Sequence, residues 1–201
     1  MDGLQYLDIK MLLIELGYSS EIDWAESIKK CSTREQFFSE YVWVVLNSGM
    51  KNQVAEKVWQ RIKEAWEKGL PTSSAFKHTG KVAAIDYVAA NLDLLWCNWA
   101  RANRLGTDHA LAFLESLPWI GPITKYHLAK NYGVDVAKPD RHLQRVAAWT
   151  NETPQSLCER IARETGDRVA TVDLVIWRAC NLGIVNSKGP RLCIQEAGPV
   201  N

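Results

Sequence analysis

The sequence predicts an all-α fold, and three observations support that prediction. Apolar residues recur at three- and four-residue intervals along nearly every segment of the 201-residue chain, as they do on the inward face of a helix. Several of these segments end at a glycine, which is common just beyond a helix C-terminus. Several begin at a threonine, asparagine or aspartate, whose side chains cap the free amides of a first helical turn.

The first predicted helix spans residues 4–16, with Gly17 as its stop. Its apolar stripe consists of Leu4, Leu7, Met11, Ile14 and Leu16. A later helix follows a capping box at Thr33–Gln36, in which the two side chains satisfy each other's free amides. The run at residues 42–46 also has the β-branched and aromatic composition of a strand, but the capping box before it favours a helix.

A loop at residues 47–52 joins this helix to the next one, which ends at Gly69. The loop contains glycine and asparagine, so an ordinary helix–helix turn with positive φ angles is one interpretation of it. A polar linker then leads to two helices, which are predicted over residues 81–91 and 92–103. Most of the nine tryptophans in the chain are expected to pack in the core or between helices.

The helix that starts at about Thr107 leads into a tight turn, Leu117-Pro118-Trp119-Ile120-Gly121-Pro122. Pro118 ends that helix, and Gly121 permits a backbone conformation that is closed to other residues. Pro122 suits the first turn of the following helix, because proline has no amide hydrogen to leave unpaired. The free amides at that helix start can hold one phosphate without reading a base sequence.

A second turn, Lys138-Pro139-Asp140, opens another helix. The proline disfavours a helical Lys138, so the new helix begins at about Asp140. A carboxylate at that place faces the positive end of the helix dipole, which favours its ionised form. Asp140 therefore has two interpretations, as a functional acid or as an ordinary N-cap that contributes about 1 kcal/mol. Two more helices are predicted, over residues 154–165 and 168–182.

Together the two turns resemble the helix-hairpin-helix DNA glycosylases of the endonuclease III superfamily. The hairpin of that family has the pattern L-P-G-[IV]-G-x-x-T, and residues 117–124 here are LPWIGPIT. The family's aspartate lies in a V-D-x-[HN]-[VL]-x-R segment, to which residues 139–145, PDRHLQR, are similar. Trp119 departs from the pattern, since it stands where the first glycine usually is. A weaker resemblance extends over about residues 36–182.

The resemblance implies an all-α fold of two lobes with a DNA-binding cleft between them. One lobe would comprise residues 33–145, and the other would combine residues 1–32 with residues 146–201. Asp140 would be the catalytic residue, acting on a nucleotide that the enzyme extrudes from the duplex. The carbonyls of residues 117–122 could hold a monovalent cation, while no other metal and no cofactor is expected.

The implied chemistry is hydrolysis of a base–sugar bond, which builds positive charge on the sugar. An ionised Asp140 could stabilise that charge and orient or deprotonate a water molecule. Relatives that also cleave the DNA backbone carry a lysine two residues after the second glycine, where this chain has Ile123. We therefore expect a monofunctional glycosylase that leaves an abasic site, with at most weak lyase activity from Lys125 or Lys138.

The resemblance also indicates which residues contact DNA. In the family, the loop between two helices wedges into the gap left by the flipped base. Gly49 falls where a glutamine or asparagine is often found, so Met50 or Asn47 could supply the wedge. Trp24, Trp43 and Trp119 are candidates for stacking on the extruded base. The expected DNA-contacting residues are Trp119, Ile120, Gly121, Pro122, Ile123, Thr124, Lys125, Arg141, Asn47, Gly49, Met50 and Lys51.

Charge and composition limit the alternatives. The net charge of +1 does not by itself indicate a nucleic-acid binder. Residues 117–149 are nevertheless basic and residues 1–30 acidic, which would suit a phosphate-binding face, although scattered charges that only solvate helices are the alternative. No apolar run approaches the ~18 residues of a membrane span, and the chain starts without the basic region of a signal peptide.

Cysteine usage bears on cofactor and compartment. The five cysteines have no metal-type spacing, and they do not fit the C-x6-C-x2-C-x5-C run of the iron–sulfur relatives, so no cluster is expected. An odd number of cysteines without a secretion signal indicates reduced thiols. We expect a cytoplasmic, nucleoid-associated protein, monomeric and without a membrane partner.

The expected partner is double-stranded DNA that carries a damaged or modified base, and the expected role is base excision repair. A glycosylase that acts on modified phage DNA in antiviral defence is an alternative role for the same chemistry. A non-catalytic hairpin module would bind DNA but release no base. An all-helical interaction protein with a coincidental match would show no salt-dependent DNA binding.

Overall fold

The computed structural model describes residues 1–189 and is all-α within them, with no β-strand in that range. Cys193 and the end of the second expected lobe, at residue 201, lie outside the described residues. No helix in residues 1–189 has the length and hydropathy needed to cross a membrane. The helices are α1 (Gly3–Leu13), α2 (Ser19–Ser27), α3 (Arg34–Asn47), α4 (Asn52–Glu67), α5 (Thr72–Ala75), α6 (Thr79–Ala90), α7 (Leu92–Leu105), α8 (Thr107–Glu115), α9 (Thr124–Asn131), α10 (Arg141–Ala148), α11 (Pro154–Thr165) and α12 (Val169–Asn181).

The chain divides into two compact units. The continuous unit is Lys29–Val134, and the discontinuous unit combines Met1–Ile28 with the chain from Asp135 onward. This division differs from the expected lobes, because α10 and the turn before it belong to the discontinuous unit and not with the hairpin. The reason is packing: Leu143, Val146 and Ala147 of α10 are fully buried in a hydrophobic core with residues of α1, α11 and α12.

Helix α12 is the centre of the discontinuous unit, where it packs against α1, α2, α10 and α11. Val172, Val175 and Ile176 are fully buried, so the helix is apolar on most of its circumference. Helices of that kind are stable only when neighbours cover them on several sides. The unit is therefore built around α12, and side chains on α12 are in a position to hold the loops that run past it.

Helix α1 buries a different face from the one predicted. Its inward residues are Tyr6, Ile9 and Leu13, whereas the predicted stripe faces outward, with Leu4 77% exposed. The remaining members of the predicted stripe are also exposed. Because α1 is apolar on both sides, residue spacing alone does not identify the buried side. Gly17, the predicted stop, has φ 90° within a π-helical turn (Ile14–Tyr18) that leads directly into α2.

Helix α3 is the centre of the continuous unit, where it packs against α4, α6, α7 and α9. It is helical through residues 42–46, which confirms the helical prediction for that run. Thr33 caps it, since its Oγ1 accepts a hydrogen bond from the amide of Gln36 at 3.1 Å. The Gln36 side chain accepts from the amide of Ser32 at 3.2 Å, one residue earlier than a standard capping box requires.

An aromatic cluster ties the two ends of the continuous unit together. Tyr132 stacks on Phe37 with ring centroids 5.2 Å apart, and Trp99 lies against Tyr132 at 4.9 Å. The Tyr132 hydroxyl donates to the carbonyl of Phe37 at 2.6 Å. Trp99 is fully buried, as expected for a core tryptophan, while Trp24 and Trp119 are the most exposed tryptophans among those described.

A buried lysine holds the loop that follows α3. Lys81, on α6, is only 3% exposed, and its Nζ donates to the carbonyls of Leu46 at 2.9 Å and Ser48 at 2.6 Å. Burial lowers the pKa of Lys81. The ammonium group satisfies the carbonyl of Leu46 at the negative end of α3 and holds Ser48 in the loop that follows.

Replacing Lys81 with methionine should lower the free energy of unfolding by about 2 kcal/mol, because two carbonyls lose their donor. Chemical denaturation of the purified variant would measure this loss. Lys57→Met is the matched control, since Lys57 is an exposed lysine of the same unit, and it should change stability by less than about 0.5 kcal/mol. Equal stabilities of the two variants would contradict a structural role for Lys81.

Candidate functional site

The hairpin, residues 117–124, connects α8 to α9 in the continuous unit. Leu117 and Ile120 are buried and anchor it to the core. The Tyr41 hydroxyl of α3 donates to the carbonyl of Pro118 at 2.8 Å, and the amide of Ile120 donates to Leu117 at 3.1 Å. The hairpin is thus a fixed turn. Ile120, which was expected to contact DNA, offers only its backbone to a ligand.

Trp119 adopts the conformation that was expected of Gly121. Its φ is 67°, in the left-handed region, whereas Gly121 has no positive φ. Trp119 stands at the place of the first glycine in the family pattern. The left-handed residue of this turn is therefore a tryptophan. A side chain at this place costs about 1–2 kcal/mol, so packing elsewhere must compensate for the strain.

The indole of Trp119 packs on the start of α6. A Cβ atom on Gly80 would lie 2.6 Å from Cζ3 of Trp119, so only glycine leaves room for the ring. His78 meets the indole edge-on, with ring centroids 5.1 Å apart, and its Nδ1 accepts from the amide of Lys81. Trp119 remains 42% exposed. Its indole therefore both covers the hairpin and offers a surface to a ligand.

Four amides at the hairpin have no hydrogen-bond acceptor within residues 1–189, namely those of Trp119, Gly121, Ile123 and Thr124. Helix α9 begins at Thr124, so Pro122 lies in the turn before the helix and not in its first turn as predicted. The first bond of the turn runs from the amide of Lys125 to Gly121 at 3.0 Å. Unpaired amides at a helix start are suited to bind one phosphate.

Lys125 is already paired. Its Nζ lies 2.5 Å from Oε2 of Glu115, and it sits over the ring of Tyr126 at 5.5 Å from the centroid. The ion pair neutralises the charge that was expected to meet DNA. The ion pair also engages with Glu115 the amine that lyase chemistry would require as its nucleophile.

The loop after α3 is a built turn that begins at Asn47. The Asn47 side chain donates to Oδ1 of Asn52 at 3.0 Å, and Gly49 has a φ of 72°. The bond and the positive φ support the interpretation of this loop as an ordinary helix–helix turn. The bond also engages the side-chain amide of Asn47 within the loop. Met50 is half-buried and Lys51 is exposed, so these two side chains are the loop groups left to meet a ligand.

Asp140 caps α10 in the discontinuous unit. Its Oδ1 accepts from the amides of His142 at 2.8 Å and Leu143 at 3.0 Å, and its own amide donates to Lys138 at 2.7 Å. No group within residues 1–189 donates to the other carboxylate oxygen, Oδ2. The two interpretations of Asp140 are therefore compatible, because one oxygen makes the cap while the other is free for chemistry.

Three side chains beside Asp140 were not identified from the sequence. Nδ1 of His142 lies 3.0 Å from Oγ of Ser187, which fixes the orientation of the imidazole. Burial, and then the charge of Asp140, raise the pKa of Cys180 to about 12, so this thiol stays protonated. Ser187 and Cys180 are far from Asp140 in the chain, and no spacing pattern marks them. Asp140 and its neighbours form a group with one acid and one fixed imidazole.

The remaining candidates are spread over both units. Arg141 is exposed at the start of α10, and its guanidinium forms no ion pair within residues 1–189. Trp24 is 50% exposed on α2, in the discontinuous unit, while Trp43 is half-buried on α3, in the continuous unit. The tryptophans considered for base stacking therefore do not all belong to one unit, since Trp119 lies with Trp43 in the continuous unit.

Comparisons with protein-family models, with curated proteins and with solved structures return no match. Among residues 1–189, no group of three or more histidine, cysteine, aspartate or glutamate side chains is arranged to hold a metal ion. What the protein does must therefore be inferred from the geometry of the hairpin and of the turn at Asp140.

Proposed function

We propose that this protein is a monofunctional DNA glycosylase, which flips a damaged or modified base out of duplex DNA and hydrolyses its N-glycosidic bond. The observation that carries the proposal is the Asp140 carboxylate, with Oδ1 held by two amides and Oδ2 without a donor among residues 1–189. A fixed carboxylate with one free oxygen is the group that an oxocarbenium-like transition state requires. The proposal includes the helix-hairpin-helix glycosylase fold.

In the proposed reaction, the bond from C1′ of the sugar to the base breaks and its electron pair leaves with the base. Asp140 stabilises the positive charge that develops on the sugar. Water adds to C1′, and Asp140 accepts its proton as general base. The products are the free base and an abasic site, and the departing base ultimately takes up the proton.

The hairpin supports DNA binding in this proposal. Three of the hairpin amides that have no acceptor within residues 1–189, those of Gly121, Ile123 and Thr124, can hold a phosphate whatever the base sequence. Next to them, the half-exposed indole of Trp119 offers an apolar surface for the sugar or a base. Arg141 and Lys51 add exposed positive charge, which would make the binding salt-dependent.

The monofunctional character rests on two residues. Ile123 stands where lyase-active relatives carry lysine, and 40% of this apolar side chain is exposed. The nearest amine in sequence, Lys125, is paired with Glu115. We therefore propose that the enzyme leaves the DNA backbone intact.

The expected partner is double-stranded DNA, which the protein would bind as a monomer. The expected role is base excision repair or defence against phages with modified DNA.

The test is release of free base from duplexes that carry oxidised, alkylated, mispaired or glycosylated bases, with mass detection of the product. We expect one class of duplex to release its base and to break only after alkaline treatment. Strand breakage without alkali, or a covalent adduct trapped by borohydride, would contradict the monofunctional mechanism. Salt-dependent DNA binding without release from any duplex would favour the alternative of a non-catalytic hairpin module.

A further inference from the structure

We infer that Asp173 is a positioning residue, which holds the Asp140 carboxylate in place through the turn at residues 138–140. Asp173 lies on α12 and is only 1% exposed. Its Oδ2 accepts a hydrogen bond from the amide of Lys138 at 3.0 Å. Burial of a carboxylate is costly unless hydrogen bonds compensate for its lost hydration, so the role of this acid must be sought in the groups that it binds.

The bond to Lys138 is the first of a continuous series that ends at Asp140. Asp173 holds the amide of Lys138, and the carbonyl of Lys138 accepts from the amide of Asp140 at 2.7 Å. Oδ1 of Asp140 in turn accepts from two amides of α10. Every link fixes the next one, so the direction of the free oxygen Oδ2 depends on where Asp173 places Lys138.

Other side chains anchor the same segment further from Asp140. The Asp135 carboxylate accepts from the amides of Val169 at 3.3 Å and Ala170 at 2.9 Å, at the start of α12. The amide of Ala137 donates to Oε1 of Gln155 at 2.9 Å. Helix α12 therefore holds the segment at two places, and the bond from Asp173 is the one nearest to Asp140 along the chain.

The catalytic part of this inference rests on the proposed function. A displacement of about 1 Å in a reacting group can cost about 100-fold in rate. Loss of the acceptor on Asp173 would release the amide of Lys138 and let the turn move. Substrate would still bind, because the hairpin amides and Trp119 belong to the other unit. The expected defect is therefore in kcat and not in KM.

The experiment compares Asp173→Ala with Asp173→Asn, because asparagine keeps an acceptor oxygen at nearly the same place. We expect Asp173→Ala to lower kcat by about 10- to 100-fold with KM within about threefold of wild type. Asp173→Asn should retain kcat within about threefold of wild type. Equal losses in both variants, or a loss that only follows the folded fraction measured by circular dichroism, would overturn the inference.

A second measurement does not depend on catalysis. The amides of His142 and Leu143 are protected from hydrogen exchange only while Oδ1 of Asp140 accepts from them, so their exchange rates report its position. We expect both amides to exchange faster in Asp173→Ala and at the wild-type rate in Asp173→Asn. The amide of Ser156, capped by Thr153 in the same unit, is the internal control.

The two measurements separate the two ideas. Unchanged exchange of His142 and Leu143 in Asp173→Ala would overturn the positioning role, whether or not the protein is a glycosylase. A wild-type protein that releases no base would remove the proposed function, while faster exchange in Asp173→Ala would still establish that Asp173 holds Asp140.

Discussion

Asp140→Asn is expected to lower the rate of base release by about 100- to 1000-fold, the usual effect of removing one group that stabilises a developing charge. The amide has no negative charge for the sugar and cannot accept a proton from water. Asparagine caps a helix as well as aspartate does. Because Oδ1 of the new side chain can still accept from the amides of His142 and Leu143, stability should be preserved.

Single-turnover release of the base, followed by mass spectrometry, would measure this effect without interference from product release. Asp2→Asn is the matched control. Asp2 is also an aspartate N-cap of the discontinuous unit, and its Oδ1 accepts from the amide of Gln5 at 2.9 Å. This control loses a capping charge of the same kind, and it should retain the wild-type rate.

Thermal unfolding and DNA binding should be nearly unchanged in both variants. A rate for Asp140→Asn that equals the rate for Asp2→Asn would assign the chemistry to another residue. An unchanged rate of base release together with an unchanged unfolding temperature in Asp140→Asn is the result expected if Asp140 is only a structural cap, which is the alternative interpretation of this residue.

The parts of this fold that the sequence predicts are those where only one arrangement suits the residues. Asp140 was placed at the start of a helix because proline before it excludes a helical Lys138, and the structure confirms this placement. Residues 42–46 were correctly predicted as helix from the capping threonine before them. Local rules of this kind need no knowledge of distant packing.

Helix α1 shows where such rules fail. Two apolar faces compete in its sequence, and the buried one is decided by contacts with α11 and α12, far along the chain. The prediction for the hairpin is wrong in another way, because the residue in the left-handed conformation is Trp119 and not Gly121. That choice depends on Gly80, which lies 39 positions earlier in the sequence and leaves space for the indole.

The side chains that surround Asp140 could not be predicted from the sequence for the same reason. Cys180 of α12 lies near Asp140, and Ser187, which follows α12, contacts the imidazole of His142. No short motif joins them to Asp140. Sequence patterns therefore locate the acid, while long-range packing determines which groups orient it.

Gly133→Ala is expected to lower the free energy of unfolding by about 3–5 kcal/mol, near the upper end for a single substitution. Gly133 follows α9 with a φ of 80°, a conformation that already strains alanine. A Cβ atom there would lie 2.6 Å from the carbonyl oxygen of Lys29 and 2.8 Å from Cα of Lys30. Both are backbone atoms, so no side-chain rotation can relieve the clash.

The neighbouring hydrogen bonds make this place rigid. The amide of Cys31 donates to the carbonyl of Tyr132 at 3.0 Å, directly beside Gly133. The amide of Val134 donates to Ala129 at 3.0 Å and closes the end of α9. Because α9 is the second helix of the hairpin, a displaced end should also weaken DNA binding, which fluorescence anisotropy with an undamaged duplex would measure.

Gly69→Ala is the matched control for chemical denaturation. Gly69 follows α4 in the same unit, at the same place relative to its helix end, and its φ is 68°. No atom of residues 1–189 lies within 4 Å of a Cβ built there. Both substitutions carry the cost of a left-handed alanine, about 1–2 kcal/mol, so the difference between them isolates the close approach of the chain at Lys29. Equal losses in the two variants would show that this approach does not constrain the fold.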